Sequence, residues 1–436
     1  MPPLIDDKQK SRLLPRAESE WRGGSAPAES GAKLKQRPEL TFKQNKQHGR
    51  HGWLRLTPAY SVRLVEQILA HSGAHAEVVF DPFSGTGTTA LCAAYRGKTG
   101  VATDINPFLI WLANAKARSY DSGAIASFQH AAQLAAVAAA DDSSPLVARP
   151  ALANIERWWR PAVLPFLLRL KSAIDAHEAG DATLLRVAFC RTMMKLSNAA
   201  FNHQSMSFKA CADTGDDIDG MVAQFLADAS HVAVAAPDNP LGVTEYILSN
   251  AREGAEGLAR WRNRVDLLIT SPPYPNRMSY IRELRPYMYW LRFLSSGREA
   301  GELDWDAIGG TWGVATSRLS DWLPRDRFIP VGMADTLKKI RAAHAKNGIL
   351  LANYIHRYFE DMLLHLGAML PLLKSGATVH YIVGNSIFYG HMVPAEEYLA
   401  QQMAAVGLCD VRCVPIRKRN SKKGLVEYHV SARRQS

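Results

Sequence analysis

The sequence predicts an α/β fold, a parallel sheet core interrupted by a long and largely helical insertion. Three observations predict it. A short apolar run, Glu77-Val78-Val79-Phe80, passes through a Gly/Thr loop into a helix and then into a second run, Gly100-Val101-Ala102-Thr103; this is one β-loop-α-β unit. From about 108 to 237 the chain is Ala- and Leu-rich, with helical spacing and no strand pattern. Strand candidates then return at Tyr246-Ile247-Leu248 and Val265-Asp266-Leu267-Leu268-Ile269-Thr270. One interrupted sheet accounts for the 436 residues better than three independent domains.

Taken in order, residues 1–45 mix Pro, Gly, Ser, Ala and charge without periodicity and read as a disordered basic arm. Residues 46–111 form the first part of the core. There Val62, Leu64, Val65, Ile68 and Leu69 recur at helical spacing, followed by strand 77–80, helix 88–95 and strand 100–103. Residues 112–240 are the helical insertion, with helices predicted over 155–177 and 182–197. Residues 241–436 complete the core. They carry the strands at 246–248 and 265–270, further strand candidates at 348–354 and 377–383, and a helix ending at the glycine of Leu372-Leu373-Lys374-Ser375-Gly376. A helix over 395–406 and strands near Val411 and over 426–430 close the chain.

Composition narrows the function. The chain has 52 Lys+Arg against 41 Asp+Glu, a net charge of +11, and that excess favours a polyanionic partner. The charge is concentrated at the ends. Residues 1–50 hold 11 basic and 6 acidic side chains and residues 412–436 hold 8 and 1, leaving the centre close to neutral. No run approaches the roughly 18–20 apolar residues of a membrane span, and Asp6-Asp7-Lys8 stands where a signal peptide needs its apolar centre. Five dispersed cysteines, Cys92, Cys190, Cys211, Cys409 and Cys413, suit a reducing cytoplasm and form no disulfide framework. No ligand spacing suggests a metal site.

The first chemical constellation is Asp81-Pro82-Phe83-Ser84-Gly85-Thr86-Gly87-Thr88-Thr89. Glycines at a strand-to-helix turn let a ligand approach the backbone and the N–H groups of the helix start. Asp104 follows the next strand, where a carboxylate can accept from both hydroxyls of a ribose. Loop and acid together make a nucleoside site. Gly85 to Ala90 also satisfies the GxGxxG/A pattern, so a dehydrogenase is a rival. Gly97-Lys98-Thr99 imitates the end of a phosphate-binding P-loop, but Cys92 occupies the place of its required glycine.

The second constellation decides between them. In Thr270-Ser271-Pro272-Pro273-Tyr274 an apolar strand runs into a hydroxyl, two prolines and an aromatic ring. The prolines fix the backbone and remove its donors. A Ser hydroxyl and the neighbouring carbonyls can accept from an amino group while Tyr274 offers a stacking face, an arrangement suited to a planar base with an exocyclic amine.

With both motifs in place, the sequence closely resembles the amino-methyltransferases that modify DNA bases at exocyclic nitrogens. The resemblance spans about 46–111 and 243–431, and it implies a Rossmann-like class I methyltransferase sheet with S-adenosylmethionine as cofactor. Asp81, Pro82, Phe83, Ser84, Gly85, Gly87 and Thr88 match the family's cofactor loop, and Asp104 with the adjacent Ile105 its ribose end. Thr57 and Pro58 resemble the segment closing over the methionine end. Asn250 stands where the family often has an acid for the adenine amine, a departure that an amide carbonyl can still serve. Ser271, Pro272, Pro273 and Tyr274 match the catalytic motif. The motif order fits the arrangements called alpha and gamma, and Ser271 leans toward cytosine N4 over adenine N6.

The resemblance implies direct transfer to the amine of a flipped base in double-stranded DNA, needing neither a metal nor a cysteine nucleophile. Arg277, Arg282 and Arg285 follow the catalytic loop within reach of phosphates, and Arg417, Lys418, Arg419, Lys422 and Lys423 form the densest basic cluster, a candidate phosphate clamp. Trp158-Trp159-Arg160 and residues 198–209 are weaker candidates for target recognition within the insertion. Adenine N6, an RNA base amine, and a binding module that has lost transfer are the alternatives. A restriction endonuclease is the cellular partner the family suggests, no membrane partner is expected, and the expected location is the cytoplasm, on the nucleoid.

Overall fold

The computed structural model describes residues 34–56, 59–177, 179–200, 207–208, 217–253, 256–325, 327–345, 347–419 and 424–435. Seven strands form its central sheet: β1 (Val78–Asp81), β2 (Thr99–Asp104), β3 (Thr244–Leu248), β4 (Val265–Thr270), β5 (Leu373–Gly384), β6 (Leu408–Lys418) and β7 (Val426–Arg434). Their order is β6-β7-β5-β4-β1-β2-β3. All neighbours from β5 to β3 pair in parallel, while β7 runs antiparallel between β5 and β6. This is the interrupted parallel α/β sheet that the sequence pattern predicts, in the Rossmann-like form that the family resemblance implies. β1 and β4 read as unbroken apolar runs because both of their faces are covered; Val79, Phe80, Leu267, Leu268 and Ile269 are fully buried.

From β1 the chain builds outward to β2 and β3 on one side, then returns to place β4 and β5 on the other. The loops leaving β1 and β4 therefore part, and parallel sheets bind ligands in the crevice at such a switch point. Helix α1 (Val62–Ser72) precedes β1; its cap is Ser61, whose hydroxyl accepts from the Leu64 N–H at 3.4 Å. Helix α2 (Thr88–Tyr95) links β1 to β2, packed so closely that a Cβ at Gly100 would lie 2.3 Å from the Ala90 carbonyl. Helix α3 (Pro107–Ala117) follows β2.

The insertion comprises α4 (Ser122–Ala140), α5 (Ile155–Trp158), α6 (Val163–Asp175), α7 (Ala179–Lys195) and α8 (Ile218–Ala235). Between β4 and β5 lie α9 (Tyr280–Trp290), α10 (Gly297–Asp306), α11 (Val314–Ser320), α12 (Met333–Ala342) and α13 (Gly348–Met369), and α14 (Ala395–Ala405) precedes β6. Among the described residues, the insertion shares its core with the rest of the chain. Trp158, Trp159 and Phe189 share one apolar cluster with Phe108 of α3 and with Tyr287 and Trp290 of α9.

Four local expectations are corrected. Residues 348–354 are the first turns of a helix, because the apolar pattern continues through Ile355, Tyr358, Phe359, Met362 and Leu366 at helical spacing; a short apolar run alone does not separate strand from helix. The helix predicted over 155–177 breaks between α5 and α6, at Pro161, whose nitrogen carries no proton. Gly376 ends no helix: it sits at φ +77° inside β5, close to an irregularity in the pairing with β4. The arm is ordered at its end. Residues Pro38–Leu40 and Phe42–Gln47 form 3-10 turns that bury Leu40 and Asn45, while 1–33 lie outside the described residues.

Candidate active site

One continuous cleft opens at the carboxyl ends of β1 and β4, and it holds parts of both sequence motifs. At one end, Gly85 (φ +52°) and Gly87 (φ +79°) carry the loop after β1 through left-handed backbone, which side chains with a Cβ resist. A Cβ at Gly87 would also meet the Ala113 Cβ at 2.8 Å. The turn aims the Gly85 N–H at Asp104 Oδ2 (2.8 Å), and the Asn106 N–H reaches Asp104 Oδ1 (2.9 Å). Burial raises the Asp104 carboxyl to about 7, with those N–H groups opposing the shift. Both oxygens accept backbone protons, and the carboxylate lines the cleft.

Supports below and beside this loop come from residues that the sequence reading did not single out. Lys116 of α3 is fully buried and donates from Nζ to the Thr86 carbonyl at 3.0 Å. His365 of α13 contacts the Ala251 carbonyl through Nδ1 (3.2 Å) and the Tyr381 hydroxyl through Nε2 (2.7 Å), with its ring edge-on to Phe83 at 4.7 Å. Burial lowers His365 to about 4, so it is neutral, with the Nδ1 proton on the carbonyl and Nε2 accepting from tyrosine. Tyr60, ahead of α1, lines the cleft and hydrogen-bonds the Thr89 hydroxyl.

At the other end, Ser271, Pro272, Pro273 and Tyr274 line the cleft. The Ser271 hydroxyl donates its proton to the Ile382 carbonyl of β5 at 3.1 Å, so toward the cleft it acts as an acceptor. The Pro273 carbonyl accepts from the Tyr358 hydroxyl at 2.8 Å. Tyr274 donates to Glu427 Oε1 at 2.9 Å, and the Arg419 guanidinium lies 5.1 Å from its ring centre. Burial first, then the Glu427 carboxylate, holds the Tyr274 hydroxyl well above its ordinary range, and it remains a protonated donor.

The remaining sequence candidates divide. Pro82, Phe83, Gly85, Asp104, Ile105 and Asn250 line the cleft, whereas Asp81, Ser84, Gly87 and Thr88 lie buried beneath it as scaffold. Thr57, Pro58, Lys422 and Lys423 lie outside the described residues. The carbonyl of Asn250 accepts from both N and Nε of Arg252, each at 3.1 Å, so its side chain is oriented by a neighbour rather than left to a ligand. Arg417 is no exposed clamp. It pairs with Glu427 (Nε–Oε2 2.7 Å, Nη2–Oε1 3.0 Å) in the cleft wall, because the β6–β7 pairing sets the two residues side by side. Arg285 is held between Trp158 and Trp312, its guanidinium 5.3 and 5.4 Å from their ring centres. Trp158 and Trp159 are themselves buried and present no face to a base. Arg277 and Lys418 are exposed, and Arg282 is half-buried.

The donor set fits S-adenosylmethionine. Asp104 offers two acceptor oxygens to a ribose diol, and Phe83, Ile105, Leu109 and Ile308 give an apolar lining for a purine. Among the described residues no group of three or more His, Cys, Asp or Glu could hold a metal, and no helix is long and apolar enough to cross a membrane.

Three comparisons bear on this cleft. Residues 62–141 match the family described as D12 class N6 adenine-specific DNA methyltransferases. Over 69 residues the chain is 32% identical to the type II methyltransferase M.BsoBI of Geobacillus stearothermophilus, a stretch that is 16% of this chain and 14% of that protein. The rRNA methyltransferase aviRa from Streptomyces viridochromogenes aligns over 87% of each chain at 10% identity and a TM-score of 0.30. That score carries no argument, and the fold rests on the strand order itself. The family match runs from α1 through the glycine loop and Asp104 into α4, and this family likeness together with the Rossmann-like sheet implies S-adenosylmethionine as the methyl donor.

Proposed function

We propose that the protein transfers a methyl group from S-adenosylmethionine to an exocyclic amino nitrogen of a base in DNA, with adenine N6 as the leading acceptor. One observation carries the reading: a single cleft joins the Gly85–Asp104 end, built for a nucleoside, to the Ser271–Tyr274 end, built for a planar amine. The D12 match favours adenine over the cytosine N4 that Ser271 alone suggests.

When bound, the cofactor would supply an electrophilic methyl group, its sulfur–methyl bond breaking to leave S-adenosylhomocysteine as the nitrogen–methyl bond forms, with the surplus amine proton passing to solvent. The chain's own residues do the rest. Ser271 Oγ, its proton committed to Ile382, accepts from the amine and orients the nitrogen lone pair. The Pro272 carbonyl is the second acceptor. Tyr274 provides the stacking face, and stacking of roughly 1–3 kcal/mol per base offsets part of the cost of flipping the nucleotide. A type II assignment also brings a restriction endonuclease of the same recognition sequence as cellular partner.

The test is transfer from labelled S-adenosylmethionine to duplex DNA, with the modified nucleoside identified by mass spectrometry. N6-methyladenine is the expected product. N4-methylcytosine alone would return the reading to the one Ser271 favours, transfer to RNA but not DNA would replace the substrate, and no transfer to either would overturn the proposal.

A further inference from the structure

We infer that Glu427 is a positioning residue for base methylation: clamped by Arg417, it pins the hydroxyl end of the Tyr274 ring against which the target base stacks. The inference rests on the proposed methyl transfer. Glu427 is the only acid within residues 412–436, and strand pairing turns it inward. In β7 it lies opposite Arg417 of β6 and Gly384 at the end of β5, which brings it to the carboxyl edge of the sheet beside the catalytic loop.

Its carboxylate is nearly buried and fully engaged. Arg417 holds both oxygens, at 2.7 and 3.0 Å, and Oε1 also accepts from the Tyr274 hydroxyl at 2.9 Å. The χ2 axis of a tyrosine runs through its phenolic oxygen, so a bond made there anchors the tip of the ring and leaves its twist to the groups packed on its faces. A charge-assisted bond to a fixed acceptor holds that tip in place. Gly384 completes the seat, since a Cβ there would stand 2.9 Å from Tyr274 Cδ2 and 2.7 Å from Arg419 Nη1. Arg419, over the ring, is anchored to the Asn385 carbonyl at 3.0 Å. Glu427 thus works through Tyr274, with both of its oxygens committed to protein partners.

The experiment is a double-mutant cycle on the full chain with Glu427→Ala, Tyr274→Phe and both together, read by single-turnover transfer to DNA and by KM for S-adenosylmethionine. Each single variant should lose about 10-fold in rate, and the double variant should lose no more than the worse single. The cofactor KM should hold, and Glu427→Gln, which keeps an acceptor, should recover most of the rate. Additive losses, or a cofactor KM that rises with each loss of rate, overturn the inference. A crystal structure of Glu427→Ala decides independently of activity: a displaced Tyr274 ring supports the role, and an unmoved ring overturns it. A wild type that transfers nothing to DNA counts against the methyl-transfer reading alone.

Discussion

Thr270 donates its hydroxyl proton to Asp81 Oδ1 across 2.6 Å, joining the last residue of β4 to the last residue of β1. Asp81 opens the glycine loop and Thr270 opens the Ser-Pro-Pro-Tyr segment, so one buried bond sets the spacing of the two ends of the cleft. The same Asp81 oxygen accepts from the Phe83 N–H at 3.0 Å. Thr270→Val keeps the shape and removes the donor. It should destabilise the protein by about 1–3 kcal/mol, the range for a buried acceptor that loses a partner, and lower the transfer rate. Denaturant unfolding and single-turnover kinetics check both, and a variant unchanged in each would show that the tie does not couple the two motifs.

Burial holds Asp104 at about 7 and Asp81 at about 6, both above the ordinary carboxyl range. Below that range the folded and unfolded chains are protonated alike. Between it and the raised values the folded chain keeps protons that the unfolded chain has released, so these two acids make stability fall as pH rises toward neutrality. Their contribution to the Tm of the cofactor-free protein should decline from about pH 4 to about pH 7, and Asp104→Asn should flatten the upper part of that decline. Cofactor affinity should run the opposite way. Ribose hydroxyls donate to a carboxylate, so binding strengthens as pH passes through about 7. Titration calorimetry across that window reads it, and a profile identical in the wild type and Asp104→Asn would remove Asp104 from the ribose site.

The hydroxyl of Ser271 is tied to the Ile382 carbonyl, which makes a sharp expectation for Ser271→Ala. The variant removes an acceptor for the amine and frees a carbonyl at the pocket edge, while the cofactor end, across the cleft, is untouched. The transfer rate should fall by about 10–100-fold, as for one lost hydrogen bond of about 1–3 kcal/mol, with the cofactor KM steady. Equal losses in both would place Ser271 in the scaffold instead.

The cleft was legible in sequence where chemistry and chain neighbours coincide. Val78-Val79-Phe80 and Leu267-Leu268-Ile269 mark buried parallel strands, and each runs straight into its own motif, so the strand, the loop and the function share one stretch of chain. Glu427 and Arg417 were not legible. Their meaning comes from the pairing of β7 with both β6 and β5, and read locally they are one acid and one base in a basic tail. Locally, the sequence shows Glu427 only as the lone acid among eight bases. Lys116 and His365 left no local signal, because their partners, the Thr86 carbonyl and the Ala251 carbonyl, are 30 and 114 residues away. The start of α13 is ambiguous in sequence because its first seven residues fit a strand as well as a helix.

The arginines after the catalytic loop should separate by burial. Arg277 is exposed, at φ +61°, and Arg277→Ala keeps a Cβ, so backbone strain is unchanged while an exposed cation is lost. Stability should hold within about 0.5 kcal/mol, and the slope of DNA affinity against salt should drop by about 1, the signature of one phosphate contact. Lys418→Ala should behave alike. Arg285 sits between two indole rings, and burial lowers it to about 10, leaving it charged at neutral pH. Its removal opens a gap between Trp158 and Trp312 and should destabilise the protein by about 1–3 kcal/mol, with the salt slope unmoved. Thermal melts and DNA titrations at several salt concentrations distinguish the two. If Arg285→Ala lowered the slope and spared the Tm, its guanidinium would leave the tryptophans for phosphate when DNA binds, and the insertion that carries Trp158 would belong to the DNA interface.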